Sequence, residues 1–187
     1  MSTSSAGTYH HGDLRAALVA AARRALESGE TFSLRAVARD VGVSPTAPYR
    51  HFADRDALES AVAAEGFRDL RALLLSDDEL PATRAAFLEF AVVYVDFAVA
   101  HPSLFRVMFG RECDNDADER VRAAAAVHEL LTRSTASLFP DRDAEMLGTG
   151  LWSATHGLAF LFLDGKLRAA SAEDRARRVR ATIAALI

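Results

Sequence analysis

SLRAVARDVGVSPTAPYRHFADRDAL, residues Ser33–Leu58, decides how this chain folds. Leu34, Val37, Ala38 and Val41 recur at three- and four-residue spacing, one face of a short helix that Ser33 can cap and Gly42 can end. Ser44 followed by Pro45 predicts the N-cap and first position of the next helix, where a missing N–H is no loss. Phe52 closes that helix. Asp54 caps another, whose apolar line runs Leu58, Val62, Leu70, Leu73 and Leu74, with Gly66 interrupting it. Upstream, Leu14, Leu18, Ala21, Ala22, Ala25 and Leu26 predict a leading helix over Asp13–Ser28, capped by Asp13 and stopped by Gly29. Two short helices joined through Gly42-Val43 behind a support helix have the spacing of a helix-turn-helix, which seats its second helix in the major groove of DNA.

The side chains this unit would present suit a nucleic acid. Thr46 offers a hydroxyl and a methyl, Tyr49 a phenol, and Arg50 and His51 donors for base edges or phosphates. Ser33, Arg35, Ser44 and Arg55 complete the expected DNA-binding set, Arg55 reaching a phosphate from the start of the next helix. Residues 10–55 hold seven arginines against five acids, a charge of +2, so the remainder of this −4 chain carries −6. The overall acidity hides a mildly basic N-terminal unit. Pro48 is the awkward residue. It cannot donate to the Ser44 carbonyl and biases Ala47 away from helical angles, which predicts a bent or shortened first turn.

Beyond this unit the chain reads as helix throughout. Its 187 residues include 38 alanines and five prolines, and no strand-like alternation or internal repeat is found. An acidic stretch at Asp77–Glu79, followed by Pro81, marks a boundary, and helices are expected at about 82–100, 102–109, 118–138, 142–163 and 173–186. The expected class is all-α, about nine helices. A disordered N-terminus at 1–8 is followed by a three-helix helix-turn-helix domain at 9–55, a connecting helix and boundary at 56–80, and a C-terminal helical domain at 81–187, to which family resemblance assigns dimerisation and ligand binding. One cysteine, Cys113, excludes an intrachain disulfide. The longest nearly apolar stretch, Leu151–Leu163, is short of a membrane span, and no signal-peptide layout opens the chain, so a cytoplasmic protein without a membrane partner is expected.

Phe87, Phe90, Tyr94, Phe97, Phe105, Met108 and Phe109 form an aromatic and thioether stripe that is either core or the lining of a cavity. A pocket needs inward polar groups to orient its ligand. The candidate wall is Tyr94, Phe105, Met108, His128, Trp152 and His156, its aromatic surface favouring a hydrophobic, planar ligand. The segment from Leu147 to Leu163 is apolar nearly all round and is expected to be buried on more than one side. Leu158 and Phe162 there, with Val179 and Ile183 on the last helix, are the candidate dimer interface. Catalytic and metal constellations fail: Asp114, Asp116 and Asp118 open like a calcium loop, but Glu119 stands where glycine is required and Ala125 where glutamate is. Gly148-Thr-Gly150 lacks a third glycine, Ser153 lies in no nucleophile elbow, and the histidines lack zinc-ligand spacing. No enzyme activity, cofactor or metal is expected.

The run from Ser33 to Leu58 resembles the N-terminal signature of the TetR family of bacterial transcriptional regulators, most strongly at Gly42-Val43-Ser44, at Tyr49 with His51-Phe52, and at Asp54-Arg55. The lead-in Tyr9-His-His-Gly-Asp-Leu-Arg15 is similar to members of the same family, and Trp152-Ser-Ala-Thr-His156-Gly157 is similar to the Trp-x-x-x-His-Gly element of one C-terminal subgroup. The resemblance implies a homodimer that binds double-stranded operator DNA at an inverted repeat, a repressor released by a small hydrophobic effector. The alternative is a helical ligand-binding or interaction protein whose N-terminal motif no longer reads DNA.

Overall fold

The computed structural model describes residues 11–75, 79–110 and 117–187, with side chains from Leu14 onward. The N-terminal tail, most of the Asp77–Glu79 boundary, Cys113 and the start of the Asp114 loop lie outside the described residues. Eight α-helices and one short 3-10 turn make up the fold, and no strand occurs among the described residues.

The first compact unit ends at Val62. It holds α1 (His11–Glu27), α2 (Leu34–Val41), the 3-10 turn Ala47–Arg50 and the start of α3 (Arg55–Leu74). Because α1 begins at His11, Asp13 lies inside the helix and is not its N-cap. Gly29 does end it, at φ 78°, a left-handed conformation that costs glycine no Cβ strain. Ser33 caps α2 by accepting from the Ala36 N–H at 3.2 Å, and Gly42 closes it, also at φ 78°. Leu18, Val19, Ala22, Phe32, Leu34, Val37, Ala38, Phe52, Leu58 and Val62 meet in the core of this unit. Arg15 lies over the ring of Phe52 and Arg55 over that of Phe32, at 5.2 and 5.4 Å.

The second unit begins at Ala63 and carries the rest of α3 with α4 (Arg84–Ala100), α5 (Pro102–Phe109), α6 (Glu119–Leu138), α7 (Ala144–Leu163) and α8 (Ala172–Ala184). Thr83, Asp118, Asp143 and Ser171 each cap a helix through a side-chain oxygen, the arrangement that satisfies otherwise orphaned N–H groups. α4 is central, packed on both α7 and α8, and α6 and α7 form an antiparallel hairpin around Phe139. The Arg180 guanidinium grips Glu89 with two bonds of 2.6 and 2.8 Å, and Arg175 reaches Asp96 at 2.7 Å, tying α8 to α4.

Gly66 is no break. It lies within continuous α3, where an added Cβ would meet the Met108 sulfur at 2.7 Å and Leu104 at 3.1 Å. Glycine is there to let α5 approach α3. α7 is the one described helix long and apolar enough to cross a membrane by length and composition. Within this fold it packs through Gly148, Leu151, Thr155, Leu158 and Ala159 against its neighbours.

Candidate nucleic-acid interface and cavity

The segment after α2 departs from the expected helix over Ser44–Phe52. Ser44 is not its N-cap. The N-cap position falls on Thr46, which makes no side-chain capping bond, and the turn is 3-10, not α. Proline explains both changes. An α-helix would need the residue 48 N–H to reach the Ser44 carbonyl, and Pro48 has none. The Ala47 N–H takes that carbonyl instead at 3.0 Å, an i→i+3 bond, and Tyr49 repeats the pattern to Thr46 at 3.3 Å. The tighter winding persists until the Phe52 N–H reaches the Pro48 carbonyl at 2.9 Å. Pro48 itself is buried, so the turn is pinned to the core while Tyr49 and Arg50 stay outside.

Around that turn the predicted DNA-binding residues divide by how they are held. Thr46, Tyr49 and Arg50 are exposed, Tyr49 to 51% despite its large apolar ring. Ser44 and Thr46 share a hydroxyl–hydroxyl bond of 3.2 Å, so neither rotor is idle. His51 is half-buried beside Phe52. Arg35 is exposed on α2, and Ser33, though exposed, has its oxygen engaged as the cap. Arg55 is restrained twice, by Phe32 beneath it and by Glu59 at 2.6 Å. Asp54 accepts the Ala57 N–H at 2.8 Å, occupying one free amide of the first turn of α3. The unit therefore presents a short projecting turn with a phenol, a hydroxyl pair and a guanidinium.

In the second unit a cavity of about 530 Å³ opens among α3, α4, α5, α6 and α7, with Ile183 of α8 reaching its wall. Of the six residues named from sequence as a candidate wall, Tyr94, Met108, His128, Trp152 and His156 line it. Phe105 does not. It is fully buried behind the wall, its ring 5.5 Å from Tyr94 and 5.7 Å from His156, and Phe109 takes the lining position. Sequence reading missed Phe67, Arg120, Ala124, Ala125 and Leu131. The alanines matter most, because four in a row at 123–126 signal helix propensity while their lack of bulk is what leaves the space.

Polar groups in the wall are few. The Trp152 Nε1–H donates to the Tyr94 oxygen at 3.3 Å, and that oxygen lies 2.8 Å from His156 Nδ1. Burial raises the Tyr94 phenol well above its usual range, and burial lowers the imidazole of His156, so both are neutral at pH 7. Thr155 spends its hydroxyl on the Leu151 carbonyl. Arg120, 3% exposed, is the one arginine of the wall, which contains no carboxylate among the described residues.

Burial separates the candidate dimer residues. Leu158, Val179 and Ile183 are 8%, 0% and 1% exposed, packed inside the chain, and Ile183 borders the cavity. Phe162 is half-buried. What α7 leaves outside is a stripe of Met146, Gly150, Ser153, Gly157 and Leu161 at three- and four-residue spacing, all exposed. Open space surrounds both glycines: no atom lies within 4 Å of a Cβ placed on either. Gly157 thus serves no close packing among the described residues.

A helix-turn-helix unit ahead of an all-helical body defines a class, the helical DNA-binding regulators. Residues 87–186 match the family described as the tetracyclin repressor-like C-terminal domain, and the chain belongs to the TetR family of transcriptional regulators. That is a family of regulators and not of enzymes, and membership implies DNA binding. A protein of unknown function from Rhodococcus sp. RHA1 is 33% identical, with a TM-score of 0.78 over 95% of this chain and 96% of that one. A TetR-family transcriptional regulator from Streptomyces coelicolor shares the fold at 21% identity and a TM-score of 0.73, over 95% of this chain and 82% of its own. A TetR/AcrR-family regulator from Thermobifida fusca does so at 14% and 0.63, over 91% and 96%.

Proposed function

We propose that this regulator is a cytoplasmic homodimer that binds an inverted-repeat operator through residues 44–55, represses from it, and leaves it when a small apolar effector fills the cavity. The observation that carries this reading is the pairing of an exposed Thr46-Tyr49-Arg50 turn in one unit with an apolar cavity in the other. Two copies are needed because one short turn contacts few base pairs, whereas a dimer spaces two turns one helical repeat apart. An effector releases DNA only by preferring the conformation in which that spacing is wrong; equal affinity for both states would shift nothing. α3 runs through both units and is the covalent path between them.

The decisive experiment is selection of bound DNA from a random pool by the purified chain. The expected outcome is an inverted repeat whose binding weakens steeply as salt rises, since phosphate contacts release counterions. Arg55→Ala should weaken all sequences alike and lower the salt slope. Arg50→Ala either does the same or relaxes one base preference, which assigns its role. The 3-10 turn supports one competing reading, a ligand-binding helical protein that no longer reads DNA. No enriched sequence at low salt would establish it.

A further inference from the structure

The hydrogen-bonding chain in the cavity wall has a direction, and its first member sets it. An indole N–H only donates, so the Tyr94 oxygen accepts from Trp152. The Tyr94 O–H must then find an acceptor, and the lone pair of His156 Nδ1 is 2.8 Å away. The opposite assignment, with Nδ1–H donating, would place two donors on the phenol oxygen. It would also leave the O–H of Tyr94, a residue 5% exposed, without an acceptor among the described residues, and a buried donor without an acceptor is costly. A neutral imidazole that accepts at Nδ1 carries its proton on Nε2. The depressed basicity of His156 agrees with this neutral form. His156 lines the cavity, is only half-buried, and makes no other hydrogen bond among the described residues. Its ring is otherwise enclosed edge-on by Phe109 and Phe160 at 4.7 and 4.9 Å.

We propose that the cavity selects an uncharged, largely apolar molecule bearing a carbonyl oxygen, which accepts from His156 Nε2–H while Tyr94 acts as the positioning residue that fixes the tautomer. This deepens the effector reading above and rests on it. The volume of about 530 Å³ suits a ligand of two or three rings, and the aromatic wall suits planar ones. Arg120 is the wall's permanent cation and disfavours a cationic ligand. It already holds interactions of its own. It lies two turns from His128 along α6, roughly 12 Å by helical rise, and His128 meets Trp152 edge to face with ring centres 6.1 Å apart. An anionic ligand anchored at Arg120 is the rival outcome.

The test is calorimetric titration of the full chain with four probes that each carry two phenyl rings on one carbon: benzophenone, 1,1-diphenylethylene in which a CH₂ replaces the oxygen, diphenylacetate, and benzhydrylamine. Benzophenone should bind and the amine should not. His156→Phe should weaken benzophenone roughly 3- to 10-fold, the worth of one neutral hydrogen bond, and leave the diphenylethylene affinity within about twofold. Ring nitrogen shifts in the unliganded chain should report Nδ1 unprotonated and Nε2 protonated, and Tyr94→Phe should release a mixture of tautomers. Because the probe series on the unaltered chain needs no variant, a poorly folding substitution does not block the decision. Diphenylacetate binding more than tenfold tighter than benzophenone overturns the proposal in favour of Arg120, as does a ketone affinity indifferent to His156→Phe. If no probe binds while the same preparation still holds its selected operator, the cavity is not an effector site and the DNA-binding reading survives.

Discussion

Tyr94 and His156 carry the clearest residue-scale consequences, because burial moves the pKa of each away from its value in water, in the direction that favours the neutral form. Tyr94 has a folded pKa raised above the ordinary 10.0, so the neutral phenol contributes stability that is whole below pH 10 and fades as the pH climbs beyond it. The melting-temperature difference between the unaltered chain and Tyr94→Phe should hold steady from pH 7 to 9 and then move against the unaltered chain. His156 has the opposite sign. Its folded pKa lies below the ordinary 6.5, so its contribution is present above that value and is lost as the pH falls through the folded one. Cooling of the melt between pH 7 and pH 5 should be larger for the unaltered chain than for His156→Phe. Equal acid sensitivity of the two would mean that the ring is better solvated than its partners at Phe109 and Phe160 imply.

At the scale of elements, the recognition segment shows what one proline does. Restoring an N–H with Pro48→Ala gives the Ser44 carbonyl an i→i+4 donor and should convert the 3-10 turn into α-helix, rotating Tyr49 and Arg50 relative to Thr46. The expected result is a changed selected sequence at the positions these residues face; an unchanged one would show that the turn contributes only phosphate contacts. Sequence alone foretold the shortening but not its form. Ser44-Pro45 is a start signal, but Pro48 denies the Ser44 carbonyl its i→i+4 donor and the Ala47 N–H takes that carbonyl instead. The longer helices were legible almost to their ends, since apolar periodicity and caps at Asp118 and Ser171 agree. Two features were not. A cavity is missing volume shared by several helices, so Ala124 and Ala125 carry no local sign of it. Periodicity also marked Leu158 and Leu161 alike as apolar, without saying that one is buried and the other faces out.

For the whole molecule, that outward stripe is where a second copy is expected, and it permits an unusually clean test. In most chains a substitution that breaks a dimer also damages the subunit, so loss of assembly and loss of fold are confounded. Gly157 escapes this, because open space surrounds it and it sits in the middle of α7, where glycine is a poor helix former by about 1 kcal/mol relative to alanine. Gly157→Leu should therefore leave the subunit as stable as before or slightly more so, while its side chain holds two closely packed α7 helices apart. Sedimentation should find the unaltered chain dimeric at micromolar concentration and Gly157→Leu largely monomeric, with Leu161→Glu doing the same by stranding a charge in the interface. Leu158→Glu is the contrasting control, expected to unfold the subunit because that residue is already packed inside it. A monomer joined to DNA by one turn loses the gain of tethering, roughly 10²- to 10⁴-fold, so operator affinity should fall with the dimer although nothing near Tyr49 or Arg50 has changed. A fully dimeric Gly157→Leu would place the interface elsewhere, and undiminished operator binding by a monomeric variant would show that one recognition turn suffices.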